Sequence, residues 1–184
     1  MKVKVDLSKY ENVITRKEQF LRLVWMLCWL VMVRPFPRSF ANPWKVMLLN
    51  LFGAQVHKKA TIYSSVKIYM PWNLKMGAYS CLGPKVDCYN VAPISIGEHT
   101  TISQKTYLCA ASHDVTNSQL PLLKKTIQIQ DQVWVGASCF IGGDVILNQG
   151  VVVGATASVY KSVPAWTIVG GNPAKFLKNR VVNE

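Results

Sequence analysis

The amino-acid sequence predicts a mainly β protein: a single-stranded parallel β-helix preceded by an N-terminal helical extension. Three observations carry that expectation. An aliphatic residue recurs every six positions through most of the chain, glycine follows it at several of those positions, and the recurrence fails badly only once. With 184 residues the chain is long enough for one domain with a substantial core, and half of its residues are apolar.

The extension, residues 1–54, lies outside the repeat. Residues 1 to 60 hold 11 of the Lys and Arg residues against 3 Asp and Glu, so about +8 of the net charge of +12 sits in the first third. A basic leader suits nucleic acid, anionic lipid or phosphorylated ligands. No zinc-finger spacing or aromatic RNA-binding pattern accompanies it, so nucleic acid is not an expected partner. The opening residues are polar and lack the apolar stretch and cleavage site of a signal peptide.

From Phe20 to Val33 the pattern predicts a helix apolar all round, ended near Arg34-Pro35-Phe36-Pro37-Arg38. Fourteen helical residues cover about 21 Å, short of the roughly 30 Å hydrocarbon core, so this is not a spanning helix. An apolar helix must still be covered. It can cap the open end of the β-helix, pack between subunits, or lie against a membrane through residues 20–38, with Trp25, Trp29 and the arginines at the headgroups. A second helix is expected over Pro43 to Phe52, with Asn42 as its cap and Gly53 as its stop.

The β-helix itself is expected over 55–178, followed by a short tail, 179–184. Val56, Ile62, Ile68 and Leu74 set the phase; after a slip it runs through Leu82, Cys88, Ile96, Ile102 and Leu108. It returns without error at Ile129, Val135, Ile141, Leu147, Val153 and Val159, with Gly83, Gly97, Gly136, Gly142 and Gly154 beside their aliphatic neighbours. Six is the period of neither a helix nor an alternating strand. It fits short strands joined by corners, each hexapeptide forming one side of a triangular prism. A β-sandwich, whose strands recur at roughly 8–12 residues, would not hold this phase. Glycine is expected where a corner is too tight for a Cβ. Of the five cysteines, Cys81, Cys88, Cys109 and Cys139 fall inside the repeat and Cys28 outside it; with no CxxC pair they read as reduced filler in a cytoplasmic protein.

The break, from Leu108 to Ile129, contains Ser112 to Thr126, a polar segment with a proline that must leave the prism as a loop over 112–126. Solenoids place functional insertions on one face, and His113 stands at the root of this one. A hydroxyl nucleophile needs a base, and histidine is the residue type whose titration suits that task at neutral pH.

Four motifs then carry a resemblance: Ile96-Gly97-Glu98-His99, Ser112-His113-Asp114, Val133-Trp134-Val135-Gly136, and the closing Gly170-Gly171-Asn172-Pro173-Ala174-Lys175. Over roughly residues 50 to 178 the chain resembles the hexapeptide-repeat acyltransferases. Within them it is similar to the galactoside and maltose O-acetyltransferase group and the colanic acid biosynthesis acetyltransferases. The resemblance implies a left-handed coil, although general chirality rules favour a right-handed crossover. It implies acetyl-CoA as co-substrate, no metal, direct transfer in a ternary complex, and His113 as the general base. The acceptor side would use Asp87 or Asn90, at the slip after Cys88, although the chain is shorter there than the galactoside enzymes; turn residues are the alternative. Trp134 would line the active-site tunnel, or else pack between subunits. Ala137, Ala155, Tyr160, Lys161 and Lys178 match positions that contact the coenzyme, although Tyr160 stands where the group commonly has a small hydroxylated residue.

The resemblance also implies a homotrimer with each site between two subunits. The implied acceptor is a sugar or lipid-linked sugar of surface-polysaccharide synthesis, in the cytoplasm or at the inner face of the membrane. Other acceptors, such as serine or an antibiotic, and a silent binding protein of the same fold are the competing readings. A zinc carbonic anhydrase of this fold needs three histidine ligands, and His57, His99 and His113 occupy unrelated repeat positions.

Overall fold

The computed structural model describes residues 5–36 and 42–183. Between Gln55 and Asn179 the chain winds into a β-solenoid with three flat faces of parallel strands. The first face stacks Gln55–Val56, Leu74–Met76, Ile94–Ile96, Ile127–Ile129 and Val145–Leu147. The second stacks Thr61–Ile62, Cys81–Leu82, Thr101–Ile102, Trp134–Val135, Val152–Val153 and Thr167–Gly170, and the antiparallel strand Lys175–Asn179 closes it. The third stacks Lys67–Ile68, Asp87–Tyr89, Tyr107–Cys109, Phe140–Ile141 and Ser158–Val159.

Every aliphatic residue of the six-residue phase points into the prism. Ile62, Leu82, Ile102, Val135 and Val153 stack on the second face and are fully buried. Each such side chain contributes roughly 1.5–3 kcal/mol by leaving water. The phase slip lies elsewhere than the aliphatic spacing indicates. Val56 pairs with Met76, not Leu74, because the 3-10 turn Pro71–Asn73 inserts extra residues before the first face. The next slip, after Cys88, and the long break after Leu108 fall at the same corner, between the third and first faces. One edge of the prism therefore collects all the insertions.

The glycines beside the aliphatic residues serve the stacking of coils more than the turning of corners. The left-handed backbone positions at the corners are held by Tyr79, Lys85, His99, Lys105, Gln132, Ser138 and Thr156, with φ between 53° and 64°. At Gly77 a Cβ would lie 2.7 Å from Glu98 N and 2.8 Å from Gly97 C, backbone atoms of the next coil. Gly77→Ala is expected to cost about 1–3 kcal/mol by forcing two coils apart, visible as a lower midpoint in thermal unfolding.

The extension caps the open N-terminal end. Helix α1 runs Arg16–Met32 and helix α2 runs Asn42–Leu51. A first coil leaves carbonyls with no strand beneath them, and such an edge invites pairing with other chains. Here side chains from the helices satisfy them. Trp25 Nε1 donates to Ile68 O at 2.7 Å, Trp29 Nε1 to Val66 O at 3.1 Å, and the buried Lys45 Nζ to Ile62 O at 2.6 Å. Asn42 Nδ2 donates to Ala60 O, and Asn50 exchanges two bonds with the Val56 backbone. Val46, Leu48 and Leu49 of α2 join the prism core.

Three expectations for the extension change. Helix α1 begins at Arg16 rather than Phe20, because Thr15 and Glu18 form a reciprocal capping box. Asn42 spends its amide on the first coil instead of capping α2, whereas Gly53, at φ +87°, ends that helix as expected. Helix α1 is not buried all round: Trp25 and Trp29 face the solenoid, while Phe20, Leu23, Met26, Leu27, Leu30 and Val31 are exposed. The expected stop reaches into residues 37–41, which lie outside the described residues; α1 itself ends at Met32. Among the described residues no helix is long and apolar enough to cross a membrane.

At the far end, the closing strand continues to Asn179, one residue beyond the expected boundary. Arg180 ties the tail back by donating from Nη1 to Gln132 O at 2.7 Å and Gly150 O at 3.0 Å.

Candidate active site

The segment expected to loop out is a two-stranded hairpin arm. Ala111–His113 pairs antiparallel with Leu122–Lys124, so His113 lies opposite Leu122. Its root packs into a small apolar cluster in which Ala111 and Leu122 meet Ile14, Met70, Val91, Tyr69 and Tyr89. The extension holds the arm from outside: Asp6 N donates to Ser118 O at 3.0 Å, and Lys124 lies 3.9 Å from Glu18 of α1.

His113 is exposed at the end of the arm's first strand, and one ring nitrogen is committed. Nδ1 lies 2.6 Å from Leu120 O, which can only accept, so Nδ1 carries the proton of the neutral ring. That tautomer leaves Nε2 with its lone pair, as a general base requires. The positioning group is thus a backbone carbonyl seven residues on. Asp114 plays no part in it, since its carboxylate accepts from Thr116 N and Oγ1, and those bonds hold it below the usual carboxylate range.

On the acceptor side the two candidates separate. Asp87 is half-buried on the outer side of the third face, 3.4 Å from Lys67. Asn90 is completely buried. Its Oδ1 accepts from Tyr69 N and Met70 N at 3.0 and 2.9 Å, and its Nδ2 donates to Met70 O at 2.6 Å. The Asn90 amide is therefore spent on the slipped corner of the previous coil, whereas Asp87 stands on the outer side. Asn90→Ala would strand Met70 N, at a cost of about 1–3 kcal/mol, whereas Tyr69 N keeps its bond to Cys88 O and Met70 O its bond from Asn73 N. The substitution is expected to lower the unfolding midpoint clearly while the acceptor KM of the folded enzyme stays near wild type.

The donor-side candidates also divide. Trp134 is exposed on the second face, with Nε1 donating to Ser103 Oγ at 3.0 Å. Ala137 and Ala155 follow at the corner between the second and third faces, one above the other, with Thr156 N bonded to Ala137 O. Lys178 joins the same second face, paired with Ile168, whose own parallel partner Val152 pairs with Trp134. Tyr160 and Lys161 stand apart from this group. They lie past Ser158–Val159, at the corner between the third and first faces, beside a cavity of about 330 Å³ bordered by Pro173 and Ala174. Tyr160 also packs at a tilt against Phe140, with ring centroids 5.4 Å apart. Within one chain, then, His113 and Asp87 sit to one side of the prism, and Trp134, Ala137, Ala155 and Lys178 to another.

The remaining reactive side chains are structural. Burial pushes the Cys88 and Cys139 thiols upward, away from the nucleophilic thiolate, and all five cysteines are free. His99 stacks on Tyr79, and His57 Nδ1 accepts from Lys59 N. No group of three or more His, Cys, Asp and Glu side chains placed to hold a metal ion occurs among the described residues. Two features escaped the sequence analysis. The Leu120 carbonyl is a backbone contact without a sequence signature. The outward ladder Tyr69, Tyr89, Tyr107, Phe140 and Tyr160 was legible as aromatics just beside or after the inward positions of the third face, but the inward residues dominate the pattern.

A stacked hexapeptide coil with a histidine-bearing arm at one edge is the architecture of an acyltransferase. No protein-family profile matches the chain. It is 41% identical over 141 residues to the Escherichia coli (strain K12) protein named "Putative colanic acid biosynthesis acetyltransferase WcaF", an alignment that covers 77% of this chain and 78% of that one. The hexapeptide-repeat acetyltransferase VCA0836 of Vibrio cholerae O1 biovar eltor, solved with acetyl-coenzyme A, superposes with a TM-score of 0.80 at 25% identity, over 94% of each chain. A maltose O-acetyltransferase from Clostridium difficile 630 shares the fold, with a TM-score of 0.81 at 19% identity over 96% of this chain and 95% of that one. The chain belongs to the hexapeptide-repeat acetyltransferases, and within them it is related to the colanic acid biosynthesis enzymes.

Proposed function

We propose that this protein transfers the acetyl group of acetyl-CoA to a hydroxyl of a sugar during the synthesis of a surface polysaccharide, with His113 as general base. The observation that carries the proposal is the committed Nδ1 of His113, which leaves Nε2 to receive a proton. The relationship to WcaF supports the polysaccharide setting, and the VCA0836 complex supports the coenzyme. As the acceptor oxygen attacks the thioester carbonyl, its proton passes to Nε2. The tetrahedral oxyanion then collapses, the C–S bond breaks, and the imidazolium returns the proton to the departing thiolate.

The division of candidates between two sides of the prism supports a site shared by two chains. In a closed threefold assembly the His113 side of one copy meets the Trp134 side of the next, with Ala137, Ala155 and Lys178 along the coenzyme and Asp87 toward the acceptor. Tyr160 and Lys161, at the other corner beside the 330 Å³ cavity, would contact the coenzyme only from a separate position. The enzyme would work in the cytoplasm, at the inner face of the membrane, where the exposed apolar side of α1 suits peripheral contact.

Thiol release from acetyl-CoA, followed with a panel of sugars, serine and chloramphenicol, tests the proposal. The expected result is release that depends on a sugar. Release with serine or chloramphenicol alone would replace the acceptor class, and no release with any hydroxyl compound would overturn the proposal.

A further inference from the structure

Between α1 and the outer side of the third face lies a cavity of about 540 Å³, with Tyr69, Tyr89 and Tyr107 on one wall and Arg22 and Arg34 on the other. A second cavity, of about 530 Å³, shares Arg34 and Lys67 with it and adds Lys85. Among the described residues the two form a trough lined by four cations, Arg22, Arg34, Lys67 and Lys85, and by one carboxylate, Asp87. The capping of the first coil uses none of these cations; it relies on Trp25, Trp29, Asn42, Lys45 and Asn50. The Arg22 guanidinium lies 3.4 Å from the centroid of Tyr69, and its Nε is buried with no hydrogen-bond partner among the described residues. A buried donor of that kind calls for an acceptor.

The trough is also long, and it starts at the catalytic arm. Tyr69 and Tyr89 pack with Ala111 and Leu122 of the arm root, and Leu122 is paired with His113. Helix α1 is tied to the arm at Glu18 through Lys124. At its other end, Arg34 borders the corner of Tyr63, Ser64 and Ser65. From Glu18 to Met32 the helix covers roughly 21 Å at its regular rise, several pyranose lengths.

The geometry points to an anionic oligosaccharide as the acceptor, laid along this trough. This rests on the acetyl-transfer reading above and deepens it. The face of Tyr69 is taken by Arg22, and the Tyr89 and Tyr107 rings offer apolar platforms to the C–H faces of successive sugars beside the His113 arm. The guanidinium and ammonium groups beyond them take carboxylates or phosphates by charge-assisted hydrogen bonds. A neutral monosaccharide would leave most of these cations unused.

Calorimetric titration of the full chain separates the possibilities. The probes are a tetrasaccharide of alternating glucuronate and N-acetylglucosamine, neutral chitotetraose of the same length, free glucuronate, and inorganic pyrophosphate. The acidic tetrasaccharide is expected to bind at least about tenfold more tightly than chitotetraose or glucuronate, as a few charge-assisted bonds imply. In the double variant Arg34→Gln/Lys85→Gln that preference should shrink to about threefold or less, and in Arg34→Lys/Lys85→Arg it should return. Both side chains are in the cavity lining rather than the core, and an unchanged circular dichroism spectrum checks that the variants are folded. Competition by pyrophosphate would assign the anion to a terminal diphosphate, and its failure to compete would assign it to sugar carboxylates; either supports the site. Equal binding of the acidic and neutral tetrasaccharides, wild-type affinity in the Gln variant, or displacement of the acidic probe by saturating coenzyme A would overturn it. Because these are binding measurements, they can fail while sugar-dependent thiol release succeeds, or succeed while it fails.

Discussion

His113→Ala is expected to lower kcat for acetyl transfer by about 10²- to 10⁴-fold, the usual worth of a positioned general base. A hairpin strand holds the ring at the edge where every insertion in the coil falls, and Leu120 O fixes which nitrogen carries the proton. Removing the imidazole removes the proton acceptor and leaves the acceptor hydroxyl to ionise unaided. Folding should hardly notice, since the side chain is exposed and makes one hydrogen bond, worth about 0.5–1.5 kcal/mol. The unfolding midpoint and the affinity for acetyl-CoA should stay close to wild type. His113→Gln, which keeps a polar group of similar reach but no base, should be nearly as slow as the alanine variant. Comparable turnover in wild type and either variant would remove His113 from the chemistry.

The second large effect concerns the cap. Trp25→Ala is expected to destabilise the protein by about 3–5 kcal/mol, the range for truncating a buried tryptophan. Trp25 is almost fully buried, it packs at a tilt against Trp29 and Phe52 with centroids 5.0 and 5.2 Å away, and it supplies the donor for Ile68 O on the edge of the first coil. For a chain of this length each kcal/mol moves the midpoint by roughly 2–4 °C, so a fall of roughly 6–20 °C follows. Coils of a solenoid contact mainly their neighbours, so the loss should begin at the N-terminal end and show first as faster amide exchange in the strand Lys67–Ile68. Trp25→Phe restores much of the packing but not the hydrogen bond, and should fall between. A midpoint within about 2 °C of wild type for Trp25→Ala would mean that α1 is not the lid of the coil.

Much of this architecture was legible because a prism side of six residues imposes one inward aliphatic residue per side, and that signal accumulates over many coils. Ile129 through Val159 kept the phase and are all buried. The phase error after Leu108 located the arm and its histidine for the same reason, since a side that cannot lie flat must leave the prism. Finer features were not legible. Leu74 and Met76 both point inward on the first face, so spacing alone assigned the slip to the wrong side of Leu74. Asn90 resembles a turn or ligand residue in sequence, and only its burial beneath Tyr69 and Met70 shows that its amide belongs to the backbone. The Phe20–Val33 run is apolar on every side, so no periodicity marks the Trp25 and Trp29 face as the buried one; the true start of the helix is marked in sequence by the Thr15 and Glu18 capping box. Residues on separate faces, such as Trp134 and His113, leave no mark in sequence of whether one chain or two must bring them together.

The identity of the product decides whether the acetyl group passes to a sugar oxygen. After incubation of the full chain with acetyl-CoA and the acidic and neutral oligosaccharides, two-dimensional NMR of the recovered saccharide should show a new acetyl ester on a ring carbon's oxygen. One coenzyme thiol should appear for each ester, and neither should form at a comparable rate with His113→Ala. Thiol release with no acetylated sugar, or equal ester formation by His113→Ala, would contradict acetyl transfer to a sugar oxygen with His113 as base.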